Sequence, residues 1–74
     1  MSKLPAVKSA ELVRVARRLG FVFDRQKGSH AVYFRASDRR RVVIPMHKHD
    51  LKTGTLHGIL KDMGISGDEL TGLL

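Results

Sequence analysis

The sequence contains no cysteine and no tryptophan, and only two of its 74 residues are proline. Without cysteine the chain can form neither disulfides nor reactive thiolates, and nothing indicates a secreted, cross-linked scaffold. No run of apolar residues approaches the length of a signal-peptide core or a membrane span. We therefore expect one small domain, residues 1–74, located in the cytoplasm.

Positive charge is what the chain has in excess. Fourteen Lys and Arg stand against seven Asp and Glu, which gives a formal net charge of +7. Eight of the basic residues lie between positions 25 and 52, whereas the ionised side chains after Lys61 are all acidic. This asymmetry indicates an anionic partner, such as nucleic acid, an acidic protein or an anionic membrane. The alternative is a solvated basic face that only keeps the protein soluble.

Hydrophobic spacing predicts helices at both ends of the chain. Apolar residues three and four apart predict one helix from an N-cap at Ser9 to a terminator at Gly20. The same spacing predicts a second helix from an N-cap at Thr53 to Gly64. A third, short helix is expected after Ser66, where the sequence matches a capping box.

Alternating side chains predict three strands, which span residues 21–26, 30–36 and 41–45. The links between them are short, so the strands should form an antiparallel meander. Val32 and Phe34 should share one face, and Tyr33 and Arg35 the other. We expect an α+β fold of order α-β-β-β-α, with two helices on one face of the sheet and a short C-terminal helix. The same order describes the double-stranded-RNA-binding domain, which contacts the phosphates of A-form RNA.

One histidine stands where a basic turn leads into the second strand, in Lys27-Gly28-Ser29-His30. Metal-free RNA cleavage needs a base for the 2′-OH, an acid for the leaving 5′ oxygen, and cations for the phosphorane. An imidazole can serve in both proton transfers. Lys27 can hold a phosphate, Gly28 allows close backbone approach, and Ser29 offers a hydroxyl. The alternative is that His30 only begins a strand and hydrogen-bonds a turn carbonyl.

Two other groups of residues are candidates for binding. The stretch His47-Lys48-His49-Asp50 has the spacing of a metal site that His57 could complete, but its lysine opposes a dication. We therefore expect no metal and no other cofactor, and we interpret His47 and Lys48 as RNA contacts.

The hairpin residues Arg39, Arg40 and Arg41 could grip phosphates or an acidic partner. They could equally form a solvated turn that protects the edge of the sheet. Tyr33 could stack on a base, but in a chain with four aromatic residues we expect it to pack inside.

Taken together, these motifs resemble the HicA-type mRNA interferase toxins, also called the YcfA-like family. The likeness extends over nearly the whole chain and depends on the combination of its motifs, because any one alone is weak. The matching stretches are Lys3-Leu4-Pro5, Arg18-Leu19-Gly20-Phe21, Lys27-Gly28-Ser29-His30, Val43-Ile44-Pro45-Met46-His47, Gly54-Thr55-Leu56 and Gly64-Ile65-Ser66.

The resemblance implies a fold like the double-stranded-RNA-binding domain and a small endoribonuclease that cleaves mRNA, with His30 at the position of the family's catalytic histidine. It implies a cognate HicB-type antitoxin that covers the active surface and reaches DNA through its own binding domain. No metal and no membrane contact are implied. The stretch Lys48-His49-Asp50 departs from the family's usual small or basic residues. A non-catalytic RNA-binding module and a pure protein-interaction domain remain as alternatives.

Overall fold

A computed structural model describes residues 4–74, so the first residue of the Lys3-Leu4-Pro5 lead lies outside the described part. Three strands form one antiparallel sheet, in which they lie side by side in chain order. None of the helices within residues 4–74 has the length and apolar character needed to cross a bilayer. The predicted α+β fold with the element order of a double-stranded-RNA-binding domain is confirmed. The elements are α1 Ser9–Arg18, β1 Val22–Lys27, β2 His30–Arg35, β3 Arg40–Pro45, α2 Thr53–Met63 and α3 Gly67–Leu73.

The core lies between one face of the sheet and the three helices. On the sheet side it contains Ala31 and Tyr33 of β2 with Val42 and Ile44 of β3. The predicted burial of Tyr33 is therefore confirmed. The opposite face of β2 carries Val32 and Phe34, as expected. On the helix side the core contains Leu12, Val15, Ala16, Leu56, Ile59, Leu60, Met63 and Leu70. Strand β1 contributes no buried residue.

Both long helices run in the same direction along the sheet. At the start of α1, the Ser9 hydroxyl donates a hydrogen bond to the Pro45 carbonyl. At its end, the Leu19 carbonyl accepts a bond of 2.7 Å from Arg35. Helix α2 ends in the same region, because Arg40 donates to the Asp62 carbonyl at 3.2 Å. The N-termini of α1 and α2 therefore lie at the end of the sheet where β2 begins.

Two predicted N-caps are wrong by one residue. Lys8 caps α1, and its backbone N–H donates to the Glu11 carboxylate at 3.0 Å. Ser9 is instead the first helical residue, because its hydroxyl is turned across to β3. Lys52, rather than Thr53, caps α2.

The predicted C-terminal ends of α1 and α2 and the predicted capping box of α3 are correct. Gly20 and Gly64 follow α1 and α2 with φ of 92° and 81°. Ser66 and Glu69 form the expected capping box, with reciprocal bonds of 3.0 and 3.1 Å. These terminators are local features of sequence, which is why they could be located without knowledge of the tertiary structure.

Arg35 ties the β2–β3 hairpin to the end of α1. Its guanidinium lies 4.4 Å from the centroid of the Phe21 ring. It also holds both oxygens of Asp38, at 2.9 and 2.7 Å. These hydrogen bonds lower the pKa of the Asp38 carboxyl to about 2, from an ordinary value of 3.8.

The pKa of Asp38 predicts how the hairpin responds to acid. A carboxyl whose pKa is depressed by folding adds stability above its unfolded pKa and loses it as pH falls toward the folded value. We expect the melting temperature of the wild type to fall between about pH 4 and pH 2. Asp38→Asn should have a lower melting temperature than the wild type at neutral pH, and its melting temperature should fall less between about pH 4 and pH 2. Thermal unfolding followed by circular dichroism measures both. Asp68→Asn, at an exposed position of α3, is the matched control; equal behaviour of the two variants would contradict the assignment.

Gly64 is predicted to be intolerant of a side chain. Its φ is 81°, and a Cβ there would lie 3.1 Å from Cζ of Arg40. Gly64→Ala should therefore lower the free energy of unfolding by more than about 1 kcal/mol in urea denaturation. Gly72→Ala is the control, because a Cβ there meets nothing within 4 Å and alanine favours the helix. Equal stability of the two variants would rule out this explanation.

Candidate nucleic-acid interface and active site

The β1–β2 turn presents His30 to solvent at the start of the central strand. Lys27 and His30 are directly opposed partners across the turn. Gly28 adopts a φ of 56°, in the left-handed region where glycine has no steric penalty. Its carbonyl accepts a bond of 3.1 Å from the Gln26 side chain. All residues from Lys27 to His30 are exposed, so the turn can approach a large ligand directly.

A β-bulge sets the face on which the basic side chains of β1 lie. Phe23 pairs with Tyr33, but the next paired residue of β1 is Arg25, opposite Val32. Asp24 is therefore an extra residue, and such an insertion shifts the alternation of every side chain after it. As a result Arg25 and Lys27 share the face of Val32 and His30 rather than the helix-covered face.

We call the face of the sheet opposite the helices the open face. It carries an apolar strip bordered by cations: Val22 is 62% exposed and Val43 43% exposed. The Arg41 guanidinium lies 5.4 Å from the centroid of the Phe34 ring. Apolar side chains next to arginines suit a ligand with both flat bases and phosphates.

Loop 46–52 lies beside the same turn. The Met46 N–H donates to the Ser29 carbonyl at 2.6 Å. The His47 N–H donates to the Ser9 hydroxyl at 3.3 Å, while that hydroxyl donates to Pro45. Ser9 is 2% exposed and was missed as a positioning residue. Its place on the apolar stripe of α1, three residues before Leu12, was the available signal that it is buried.

The far end of the loop is attached to the segment before α1. The Leu51 N–H donates to the Val7 carbonyl at 2.9 Å, and Lys8 and Asp50 form a β-bridge. The loop is therefore fixed at both ends. Together with the turn it forms a region that we call the basic end, which comprises Lys27, Gly28, Ser29, His30 and residues 46–52.

An open hollow of about 570 Å³ lies in the basic end. The His47 and His49 rings stand on its wall with centroids 6.2 Å apart and an angle of 42° between their planes. The residues within 4–74 that line it are Pro45, His47, His49, Asp50, Leu51, Lys52 and Thr55.

The predicted arginine cluster does not join the basic end. Arg35 pairs with Arg40 at the opposite end of β2 from His30, which five residues of strand place about 16 Å away. Arg40 is engaged by the Asp62 carbonyl and by Asp38, at 3.2 and 3.1 Å. Arg39 sits at the tip of the hairpin with a φ of 57°. Only Arg41 projects onto the open face.

The alternative interpretation of His47 and His49 as metal ligands requires further ligands close to them. Among residues 4–74 no group of three or more His, Asp or Glu side chains is arranged to hold an ion. His57 lies elsewhere, in a smaller hollow with Leu4 and Gly67.

Comparison with known proteins gives one family. Residues 9–65, well over half of the chain, match the family model described as "HicA toxin of bacterial toxin-antitoxin". No curated protein matches the chain. The matched segment runs from the first residue of α1 to the residue after Gly64, so it includes the turn, the open face and the loop.

Proposed function

Because the chain belongs to the HicA toxin family of bacterial toxin–antitoxin systems, we propose that it is an endoribonuclease that cleaves mRNA in the cytoplasm and thereby inhibits translation. The observation that carries this proposal is the exposed imidazole of His30, held on the central strand directly opposite Lys27. A toxin of this family has a cognate antitoxin as its partner, which we propose to be of the HicB type.

His30 performs the proton transfers in the proposed reaction. As a base, the neutral imidazole removes the proton of a 2′-OH, whose oxygen then attacks the adjacent phosphorus. The bond from phosphorus to the 5′ oxygen breaks, and the imidazolium returns the proton to that leaving oxygen. The products are a 2′,3′-cyclic phosphate and a free 5′-OH. DNA is spared because it has no 2′-OH, and the reaction requires no metal.

The backbone and cations around His30 supply the remaining requirements. Lys27 supports the negative charge that develops on the phosphorane. The left-handed backbone at Gly28 brings the turn close to the phosphate, and Ser29 offers its hydroxyl. The position of His30 on a paired strand favours catalysis, because the backbone that carries the imidazole need not be ordered when RNA binds.

The remaining predicted contacts act in binding rather than in chemistry. His47 and Lys48 lie in the basic end and extend the RNA-binding surface from the turn. Arg41 borders the open face and contributes there. Arg39 and Arg40 reach RNA only if it extends about 16 Å along the sheet.

The proposed antitoxin covers the basic end and the open face. The apolar strip offers such a partner surface to bury, and the +7 charge of the chain favours an acidic surface on it. Contact with DNA is made by the antitoxin and not by this chain.

Replacement of His30 tests the proposed chemistry. His30→Ala should lower the rate of RNA cleavage at least about 100-fold, because a general acid–base group is lost. It should also relieve growth arrest on induced expression, while a 2′-O-methyl RNA that cannot be cleaved still binds. Cleavage should persist in EDTA.

His57→Ala is the matched control, since it removes a histidine away from the basic end. It should cleave RNA like the wild type. Unchanged cleavage by His30→Ala would exclude the mechanism, and a wild type that binds RNA but never cleaves it would identify a binding module.

Replacement of Lys27 tests the phosphate contact. Lys27→Ala should weaken binding of 2′-O-methyl RNA and reduce the slope of log affinity against log salt by about 1. Lys61→Ala removes the same charge from the last turn of α2, away from the turn, and should leave that slope unchanged. Equal slopes for both variants would show that Lys27 contributes only to the general field of the protein.

A further inference from the structure

We propose that the hollow beside His30 is a nucleotide-binding subsite, in which the His49 ring stacks on an RNA base, the His47 ring borders that base at an angle, and Lys52 binds its phosphate. This inference rests on the proposed function, because it assigns the hollow to the nucleotide next to the cleaved bond.

The position of the hollow connects it to the catalytic histidine. Pro45 lines the hollow and is also the cross-strand partner of His30. Directly opposed residues in an antiparallel sheet lie about 5 Å apart. An RNA strand whose phosphate contacts His30 therefore has its neighbouring nucleotide within reach of the hollow.

The lining matches the two parts of a nucleotide. Pro45 and Leu51 supply the apolar part of the lining. The His49 ring offers a face on which a base can stack, and the His47 ring, inclined at 42° to it, borders the same space. Lys52 and the Thr55 hydroxyl, in the cap and first turn of α2, are donors for a phosphate or a sugar. A volume of about 570 Å³ is in the usual range for small-ligand sites.

The hollow is formed before any ligand binds. Loop 46–52 is fixed through Met46, His47 and Leu51 by the hydrogen bonds to Ser29, Ser9 and Val7. Lys8 and Asp50 add a bridge to the segment before α1. A site that is already ordered loses less conformational entropy on binding, so a single nucleotide can gain useful affinity there.

The chemistry favours a nucleotide over a metal ion. Lys48 separates the two histidines and Lys52 lies at the rim, so the local potential repels cations. Within residues 4–74 the lining has a single carboxylate, that of Asp50, and no three His, Asp or Glu side chains are arranged to hold an ion. Two imidazoles and a lysine instead give an aromatic surface with a positive border, which is what a base and its phosphate require.

Binding of two probes to His49→Ala tests the stacking. One probe is a fluorescent 2′-O-methyl hexanucleotide, and the other is the same backbone without bases. His49→Ala should raise the Kd of the hexanucleotide about tenfold and leave that of the abasic backbone unchanged, in fluorescence anisotropy. His49→Phe should restore binding because it retains an aromatic ring. His57→Ala, an exposed histidine outside the hollow, should bind like the wild type.

Lys52→Ala tests the phosphate contact in the same assay. It should weaken binding of both probes, whereas Lys52→Arg should restore it. Amide shifts of Leu51 and Thr55 on addition of the hexanucleotide would place the ligand in the hollow directly. Equal hexanucleotide affinity of His49→Ala and the wild type, or equal losses for the two probes, would overturn the subsite.

Cleavage of unmodified RNA, measured in parallel, separates this inference from the proposed function. If His49→Ala raises KM and leaves kcat nearly unchanged, the subsite contributes to binding of the substrate as proposed. Cleavage without any effect of His49 would overturn the subsite alone. Absence of cleavage by the wild type, with the effect of His49 on binding intact, would overturn the nuclease and leave a nucleotide site.

Discussion

Alternation of side chains along β2 is the constraint on which the rest of the molecule depends. It is the central strand of the sheet, so its position is fixed by hydrogen bonds on both edges. Ala31 and Tyr33 point to the helices and complete the core. His30, one residue earlier, must then point the other way. The same packing that stabilises the fold therefore holds the proposed catalytic group outside it, and a shift of one residue in register would bury the imidazole.

The basic end is assembled from parts that are distant in sequence. The Ser9 hydroxyl is hydrogen-bonded both to Pro45, the last residue of β3, and to His47 in loop 46–52. The Asp24 bulge places Lys27 on the same face as His30. Ser9 acts through its hydroxyl and Asp24 through the extra backbone residue that it adds, and each determines where a charged or aromatic side chain stands.

The fold could be predicted from the sequence because its signals are local. The glycine terminators, the capping box at Ser66 and the alternation around Tyr33 each concern residues close together in the chain. The site could be predicted only in part. His30 was evident from its turn, but the separation of Arg40 from it follows from strand direction, and the burial of Ser9 follows from packing against β3. A bulge at Asp24 leaves no signal in composition or spacing, since its register is set by pairing with β2.

Strand β1 buries none of its six residues, and this has a consequence for dynamics. The free energy required to open a segment locally follows from the apolar surface that it buries, so β1 is a candidate to open well below the global unfolding free energy. Its backbone amides should then exchange with solvent faster than those of β2. Lys27 thus belongs to a segment that opens easily and His30 to one that stays closed. An RNA or a protein that contacts both joins the two segments, and part of its binding free energy is used to keep β1 closed.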